Sequence, residues 1–244
     1  MCGRYVTPEA AAIERAWYKR GAGNPFKSLS EQVRENTSRR NYNAVMSQQI
    51  PVLWATASGE FELTTMQWGF IPHFGGGVPS RFTHPNIRIE SLKISKAYKK
   101  AREKSQRCVM LAVGFYEWQV VGHEGKKAIK QPWYIRMGDQ DVCGFAAYWD
   151  TSKKDGAEVV TTSMVSMEAN EFMSRIHNED RRMPAILGPE DWITWLTGST
   201  DEADACLRQY PDELMIAHMV SRRVNNTKNN DEELLTPWAE PAIT

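Results

Sequence analysis

Six short runs, alternating or wholly apolar, set the tightest limit on how this 244-residue chain can fold: residues 50–55, 61–68, 108–118, 132–137, 142–149 and 157–165. Successive side chains of an extended segment point to opposite faces, so such runs read as strands with one or both faces buried. Gly59 falls in the turn between the first two, and Asp155-Gly156 in the turn before the last. Helical patterns lie between and around them. Residues 8–20 place Ala11, Ile13, Ala16 and Trp17 near helical spacing, with Pro8 close to the start. Residues 91–105 put Ile94, Tyr98 and Ala101 on one face and basic residues on the other. Shorter helices are expected over 168–175, 189–196 and 201–209, and a last strand over 214–221, while the Gly-, Ser- and Arg-rich stretch 21–40 reads as a loop. Mostly sequential strands with inserted helices predict an α+β fold: one domain with a mainly antiparallel, barrel-like β-sheet core and peripheral helices. No repeat or long linker divides the chain. The expected domain is 1–230, followed by an acidic C-terminal tail, 231–244.

Composition excludes several classes of function. No apolar run approaches the roughly 20 residues of a membrane helix, and the first 20 residues carry Glu9, Glu14, Arg15, Lys19 and Arg20, unlike a secretory signal. The expected location is the cytoplasm of a bacterium, or the cytosol or nucleus elsewhere, with no membrane partner. Cys2, Cys108, Cys143 and Cys206 form no Cys-x-x-Cys pair, which argues against zinc and disulfide frameworks; no metal or cofactor is expected. Thirty basic and thirty acidic residues give zero net charge, unlike a duplex-coating protein. Any nucleic-acid contact must be local. The densest basic stretch is 88–107, where Arg88, Lys93, Lys96, Lys99, Lys100, Arg102, Lys104 and Arg107 face only Glu90 and Glu103. It reads equally as a DNA patch or as a solvated helix face.

Chemistry concentrates in a few polar clusters. The chain opens Met1-Cys2-Gly3-Arg4-Tyr5, so loss of one methionine leaves an N-terminal cysteine. An α-amine titrates near 7.7–8.0, against roughly 10.4 for lysine, so about a tenth is neutral at pH 7. An amine and a thiol on adjacent carbons can capture an aldehyde as an imine and then close a thiazolidine ring. Taken alone, the cysteine is equally an arbitrary second residue. In Asn86-Ile87-Arg88-Ile89-Glu90, alternation puts Asn86 and Arg88 on one face and both isoleucines toward the core, unless this is simply a solvated edge. Glu117 stands between aromatics in Gly114-Phe115-Tyr116-Glu117-Trp118, where desolvation would raise its pKa toward the range useful for proton transfer, unless it is simply a surface glutamate on an alternating strand, the plainer reading of the residue alone. His177 ends a helix beside Glu179, Asp180, Arg181 and Arg182, as a proton shuttle or a helix cap. The cluster from Trp68 to Phe74 reads as a base-stacking surface or as core, and Thr161-Thr162-Ser163 as hydroxyls for a phosphate.

Together and in this order, the clusters resemble the SRAP family, the SOS-response-associated peptidase domain of abasic-site processing proteins. The matching residues are Met1–Tyr5, Tyr42-Asn43, 68–72, 86–90, 114–118, Ile176-His177 with Arg182-Met183-Pro184, and Val220-Ser221 with Val224-Asn225. The resemblance implies the SRAP fold and a mature protein that begins at Cys2, with Met1 removed by self-cleavage. It implies binding of single-stranded DNA carrying an abasic site, by a monomer, and a thiazolidine cross-link between Cys2 and the ring-opened sugar aldehyde. By that match Cys2, Asn86, Glu117 and His177 are the catalytic set. Arg4, Arg88, Trp68, Phe74, Trp118, Thr161 and Arg182 contact DNA.

There are departures from the family pattern. The usual Arg-Tyr-Asn-x-Ala-Pro run appears as Asn41-Tyr42-Asn43-Ala44-Val45-Met46, Met219 stands where a proline often precedes Val-Ser, and the stretch from His177 to Arg182 is lengthened. Two other classes of function remain open at this point: an N-terminal-nucleophile peptidase or amidase acting on other substrates, and a non-catalytic reader of modified DNA.

Overall fold

The computed structural model describes residues 2–18, 29–56, 58–78, 83–138, 140–188 and 190–238. In chain order the elements are β1 (Arg4–Val6), α1 (Ala10–Tyr18), α2 (Glu31–Thr37), β2 (Ala44–Val45), β3 (Gln49–Ala55), β4 (Phe61–Trp68), β5 (Asn86–Arg88), α3 (Lys96–Glu103), β6 (Arg107–Ala112), β7 (Gly114–Glu124), β8 (Lys127–Met137), β9 (Cys143–Lys154), β10 (Ala157–Glu168), α4 (Glu171–Ile176), β11 (Arg182–Pro184), β12 (Ile186–Leu187), α5 (Asp191–Thr197), α6 (Thr200–Cys206) and β13 (Met215–Met219). Short 3₁₀ turns cover Ile89–Ser91, Asp212–Leu214, Arg222–Asn225 and Glu232–Leu235.

Five strands close a barrel. β4 pairs with β3, β3 with β6, β6 with β9 and β9 with β10, all antiparallel, and a short parallel contact of β10 with β4 completes the ring. β5 continues that parallel edge farther along β10, with Asn86 opposite Met164 and Arg88 opposite Ser166. A second, wholly antiparallel sheet runs β13-β8-β7-β1-β2. The expected α+β single domain with a mainly antiparallel, barrel-like core is therefore the architecture observed.

The alternation of β1 explains how the N-terminus is held. Tyr5 points to the main core, edge-on to Trp68 at 5.2 Å and to Phe145 at 6.0 Å, while Val6 joins a smaller cluster with Tyr116, Tyr134, Val220, Val224 and Leu234. The start of the chain is thus clamped between the two sheets, and Cys2 is buried with it.

Several boundaries differ from the sequence pattern, each for a physical reason. The run 108–118 is two strands in two sheets, not one. Val113 separates them and donates its N–H to Val6 O at 2.8 Å. At Gly114 a Cβ would stand 2.5 Å from the Ile135 carbonyl oxygen, so only glycine lets the chain cross there. Because Val109–Ala112 and Phe115–Tyr116 are all buried, no polar residue marks the change of sheet. The expected loop 21–40 contains helix α2, whose Ser30 caps it by accepting from Val33 N and which buries Val33 and Thr37; residues 19–28 lie outside the described set. The helix expected over 91–105 starts only at Lys96, capped by Ser95, and Ile94, before the cap, is 81% exposed instead of facing the core. Of the acidic C-terminal stretch, residues 231–238 lie against the fold. Leu234 is buried, Arg223 pairs with Asp231 at 3.0 Å and with Glu233, and Trp238 N donates to Met219 O at 2.7 Å. Residues 239–244 lie outside the described set.

Candidate active site

The antiparallel register of β1 on β7, Arg4 opposite Tyr116, carries Cys2 alongside Glu117. From the other sheet, β5 brings Asn86, whose Nδ2 donates to the Cys2 carbonyl at 2.8 Å. The turn after α4 brings His177, with Nε2 3.8 Å from Glu117 Oε2. Cys2, Asn86, Glu117 and His177, 84 to 175 positions apart from first to last in pairs with Cys2, therefore converge, and all are buried: 2%, 6%, 2% and 7% exposed. The Asn86 Oδ1 atom is buried without a hydrogen-bond partner. An orphaned acceptor beside the Cys2 main chain is costly unless something else binds it.

Burial governs the protonation of the group. Desolvation, helped by the nearby Glu117 carboxylate, holds the Cys2 thiol well above its ordinary range, so it is a neutral thiol at pH 7. Desolvation pushes Glu117 up to about 7, with the Asp180 carboxylate adding to the rise. At neutral pH this side chain is divided between acid and carboxylate, as a group that must both give and take protons should be. Burial lowers the pKa of His177, favouring neutral imidazole. Its Nδ1 lies 3.0 Å from Arg182 O and 3.2 Å from Arg182 N. With Nδ1 donating to that carbonyl, Nε2 is the basic nitrogen facing Glu117; with Nδ1 accepting from Arg182 N, Nε2 carries the proton toward it, so the ring can face Glu117 as base or acid.

The residues expected at DNA occupy very different places. Arg88 is exposed and its side chain makes no hydrogen bond to the described residues, and Phe74 is 54% exposed beside His73. Trp118 is half-buried, with the Arg4 guanidinium 5.6 Å over its ring and its Nε1 donating to Asn225 Oδ1 at 2.9 Å. Arg4 itself donates to the carbonyls of Val224 and Asn225, the second at 2.8 Å, so part of its fork already holds the chain. Arg182 is buried and bidentate to Glu90, at 2.7 and 3.1 Å, and also donates to Ser166 O at 2.7 Å. Two expectations need correcting. Trp68 has no exposed surface and donates Nε1 to Pro85 O at 2.7 Å, so it offers no face to a base. Thr161 is equally buried, its hydroxyl accepting from Ile71 N at 2.9 Å, which leaves nothing for a phosphate. Both sit at the β4–β10 closure of the barrel, where packing claims aromatic rings and short polar side chains alike.

Half of the eight cations in the stretch 88–107 hold carboxylates within the fold. Lys93 and Arg102 share Asp204 at 3.3 and 2.7 Å, Lys99 pairs with Glu103 at 3.7 Å, Lys100 reaches the buried Asp150 at 3.6 Å, and Arg107 is buried against the Ser199 and Gly198 carbonyls. Sequence reasoning missed the Glu90 clamp on Arg182 and the turn between His177 and Arg182. In that turn Asn178 bonds both the N–H and C=O of Val120 at 2.9 Å, and Glu179 pairs with Lys130 at 2.5 Å, pinning the turn to the β7–β8 hairpin. The lengthened spacing was the available signal. Among the described residues no group of three or more His, Cys, Asp or Glu side chains could hold a metal, and no helix is long and apolar enough to cross a membrane.

Residues 1–227 match the family model described as SOS response associated peptidase (SRAP). An abasic site processing protein of Gallus gallus is 31% identical in an alignment covering 97% of this chain and 78% of that protein. One from Bacillus subtilis is 30% identical, covering 80% of this chain and 84% of that protein. A crystal structure of a Bacteroides thetaiotaomicron protein superposes with a TM-score of 0.77 at 23% identity, over 96% of this chain and all of that one, a likeness of fold.

Proposed function

The chain belongs to the SOS response associated peptidase family, and from that premise we propose that it processes abasic sites in DNA by trapping their aldehyde on Cys2. The observation that carries this reading is the convergence of Cys2 with Glu117, Asn86 and His177 in one buried cluster, in a chain whose relatives are named abasic site processing proteins.

With Met1 attached, the Cys2 nitrogen is an amide and cannot form an imine. Hydrolysis of the Met1–Cys2 peptide bond frees it: water adds to the Met1 carbonyl, methionine leaves as the free acid, and Glu117 beside Cys2 moves the proton that the departing amine requires. The freed amine adds to the ring-opened sugar aldehyde, and the carbinolamine loses water to give an imine. The Cys2 thiol then adds to the imine carbon, its proton passing to nitrogen. The net change is aldehyde plus aminothiol to thiazolidine plus water.

Each step matches a group in the cluster. Protonated Glu117 donates to the departing hydroxyl, and the resulting carboxylate takes the thiol proton. That second transfer is needed because burial keeps Cys2 neutral. Asn86 fixes the Cys2 main chain through its carbonyl, and its unpartnered Oδ1 can accept from the freed amine or the sugar. His177 Nε2 serves sugar ring opening and, in reverse, release. The DNA is single-stranded in this reading, because an aldehyde buried this deeply in the protein must leave any base stack to reach Cys2. Arg88 and Phe74, both exposed, are the groups best placed for a phosphate and a base.

The test is incubation with a single-stranded oligonucleotide carrying one abasic site. A denaturation-resistant complex should form with the wild type and be absent with Cys2→Ala. Equal cross-linking by Cys2→Ala would overturn the proposal, and turnover of peptides or amides without DNA would favour an N-terminal-nucleophile hydrolase instead.

A further inference from the structure

Away from Cys2, a cavity of about 300 Å³ is lined by Glu9, Arg39, Arg40, Tyr42 and Asn230. Its two neighbouring arginines have no ion pair or hydrogen bond with the described residues, whereas Arg102, Arg175, Arg182, Arg208 and Arg223 each hold a carboxylate. Other arginines, such as Arg88, Arg136 and Arg222, also hold no carboxylate among the described residues; what sets Arg39 and Arg40 apart is that they are adjacent and line one cavity. Arg40 is half-buried, stacked with its Cζ 5.9 Å from the Tyr42 ring centroid, and its Nε is buried without a hydrogen-bond partner. Asn230 accepts from Tyr42 N at 2.6 Å through Oδ1, which leaves its amide nitrogen as a further donor. Donors without acceptors and like charges side by side both call for an anion.

We propose that this cavity is a phosphodiester site that holds a nucleic-acid strand at a distance from the reactive cysteine; it rests on the reading that DNA is the partner. Charge selects the ligand. Glu9 lines the same cavity, so two guanidiniums and one carboxylate leave a single positive charge. That suits the single negative charge of a phosphodiester. A terminal phosphate carries about −1.5 to −2 at pH 7 and would crowd Glu9.

The location fits a strand passing through. Thr7 N donates to Asn41 O at 2.9 Å and Asn41 N to Thr7 Oγ1 at 3.1 Å, tying this segment to the chain five residues beyond Cys2. At about 3.3 Å per extended residue, that is roughly 16 Å from the thiol. Asn43 donates to the carbonyls of Val224, Asn226 and Asn229, fixing one continuous segment between Arg4 and the cavity. Arg4 and the Arg39–Arg40 pair therefore flank a single rim. The site also sits beside the run 41–46, where this chain departs from the family pattern, with asparagine at 41 in place of arginine.

The test compares wild type with the double variants Arg39→Gln/Arg40→Gln and Arg39→Lys/Arg40→Lys. Binding of an undamaged single-stranded oligonucleotide is followed over a salt series, and cross-linking is timed with saturating abasic oligonucleotide. The glutamine variant should bind about tenfold more weakly and lose about 0.7 from the salt slope, as loss of one phosphate contact requires, with the saturated cross-linking rate unchanged. The lysine variant should keep the slope while losing part of the affinity, and a 5′-terminal phosphate should not strengthen binding. Wild-type affinity and slope in the glutamine variant would overturn this site alone. Absence of DNA binding and cross-linking by the wild type would overturn the abasic-site reading, and the site with it.

Discussion

A buried carboxyl beside a buried thiol cannot both ionise cheaply, and Glu117 and Cys2 are placed so that the carboxyl yields first. Its raised pKa has a consequence for stability. The folded state holds the Glu117 proton up to about 7 while the unfolded chain releases it near 4.5, so the folded state binds more protons between those values. The contribution is complete below pH 4.5 and is lost as the pH rises through 7. The deficit amounts to roughly 3 kcal/mol at about 1.4 kcal/mol per unit. Glu117→Gln should therefore unfold at higher denaturant than wild type at pH 8, with the gap closing by pH 4.5. The same substitution should slow cross-linking by about 10²- to 10⁴-fold at pH 7. A variant that gains no stability at pH 8 would show that Glu117 is not the desolvated acid described above. For the wild type, cross-linking should rise with pH as the freed α-amine deprotonates and fall above about 7 as Glu117 loses its proton. Glu117→Gln should lose the falling limb in a plot of initial rate against pH.

At the level of elements, the site depends on one crossing between sheets and on one turn that carries an ion pair. Gly114 starts β7 against Ile135, and Glu117 lies three residues on. Gly114→Ala should destabilise the protein by about 1 to 3 kcal/mol through overpacking against backbone, measured as a shift in denaturant midpoint, and should slow cross-linking as well. On the other side, Glu90 from the turn after β5 clamps Arg182, whose backbone positions His177. Glu90→Gln should lower cross-linking and its reversal more than it lowers oligonucleotide affinity, a split that simple loss of DNA binding would not give. The sequence shows these elements unevenly. β3, β4, β9 and β10 are plain from alternation and turn residues. β1, β2, β11 and β12 are two or three residues long, too short for a period to appear. The crossing at Val113 is invisible because both flanking strands are buried. Cys2, Asn86, Glu117 and His177 are legible as a set only through the family resemblance, since each alone also has an ordinary structural reading. Trp68 and Thr161 are not, since an aromatic or a hydroxyl looks the same whether a barrel or a nucleic acid covers it.

For the whole molecule, zero net charge means that contacts to phosphates must be local. Affinity for single-stranded DNA should thus show a shallow salt dependence, with a log–log slope of about −2 to −3 for three or four contacts. A slope much steeper than that would point to a broad basic surface that this fold does not present. The two-sheet clamp on β1 also makes the chemistry a property of the folded state. Unfolded protein should retain the aminothiol but lose the neighbouring acid and base, and react no faster than a free cysteine peptide. The central claim is that the mature N-terminus, amine and thiol together, carries the DNA. Mass spectrometry of the N-terminal peptide after cross-linking and nuclease digestion tests it most directly. The account predicts a peptide that begins at Cys2, carries the sugar remnant with loss of one water, and resists both borohydride reduction and thiol alkylation. A peptide that retains Met1, or an adduct mapped to a lysine, would contradict it.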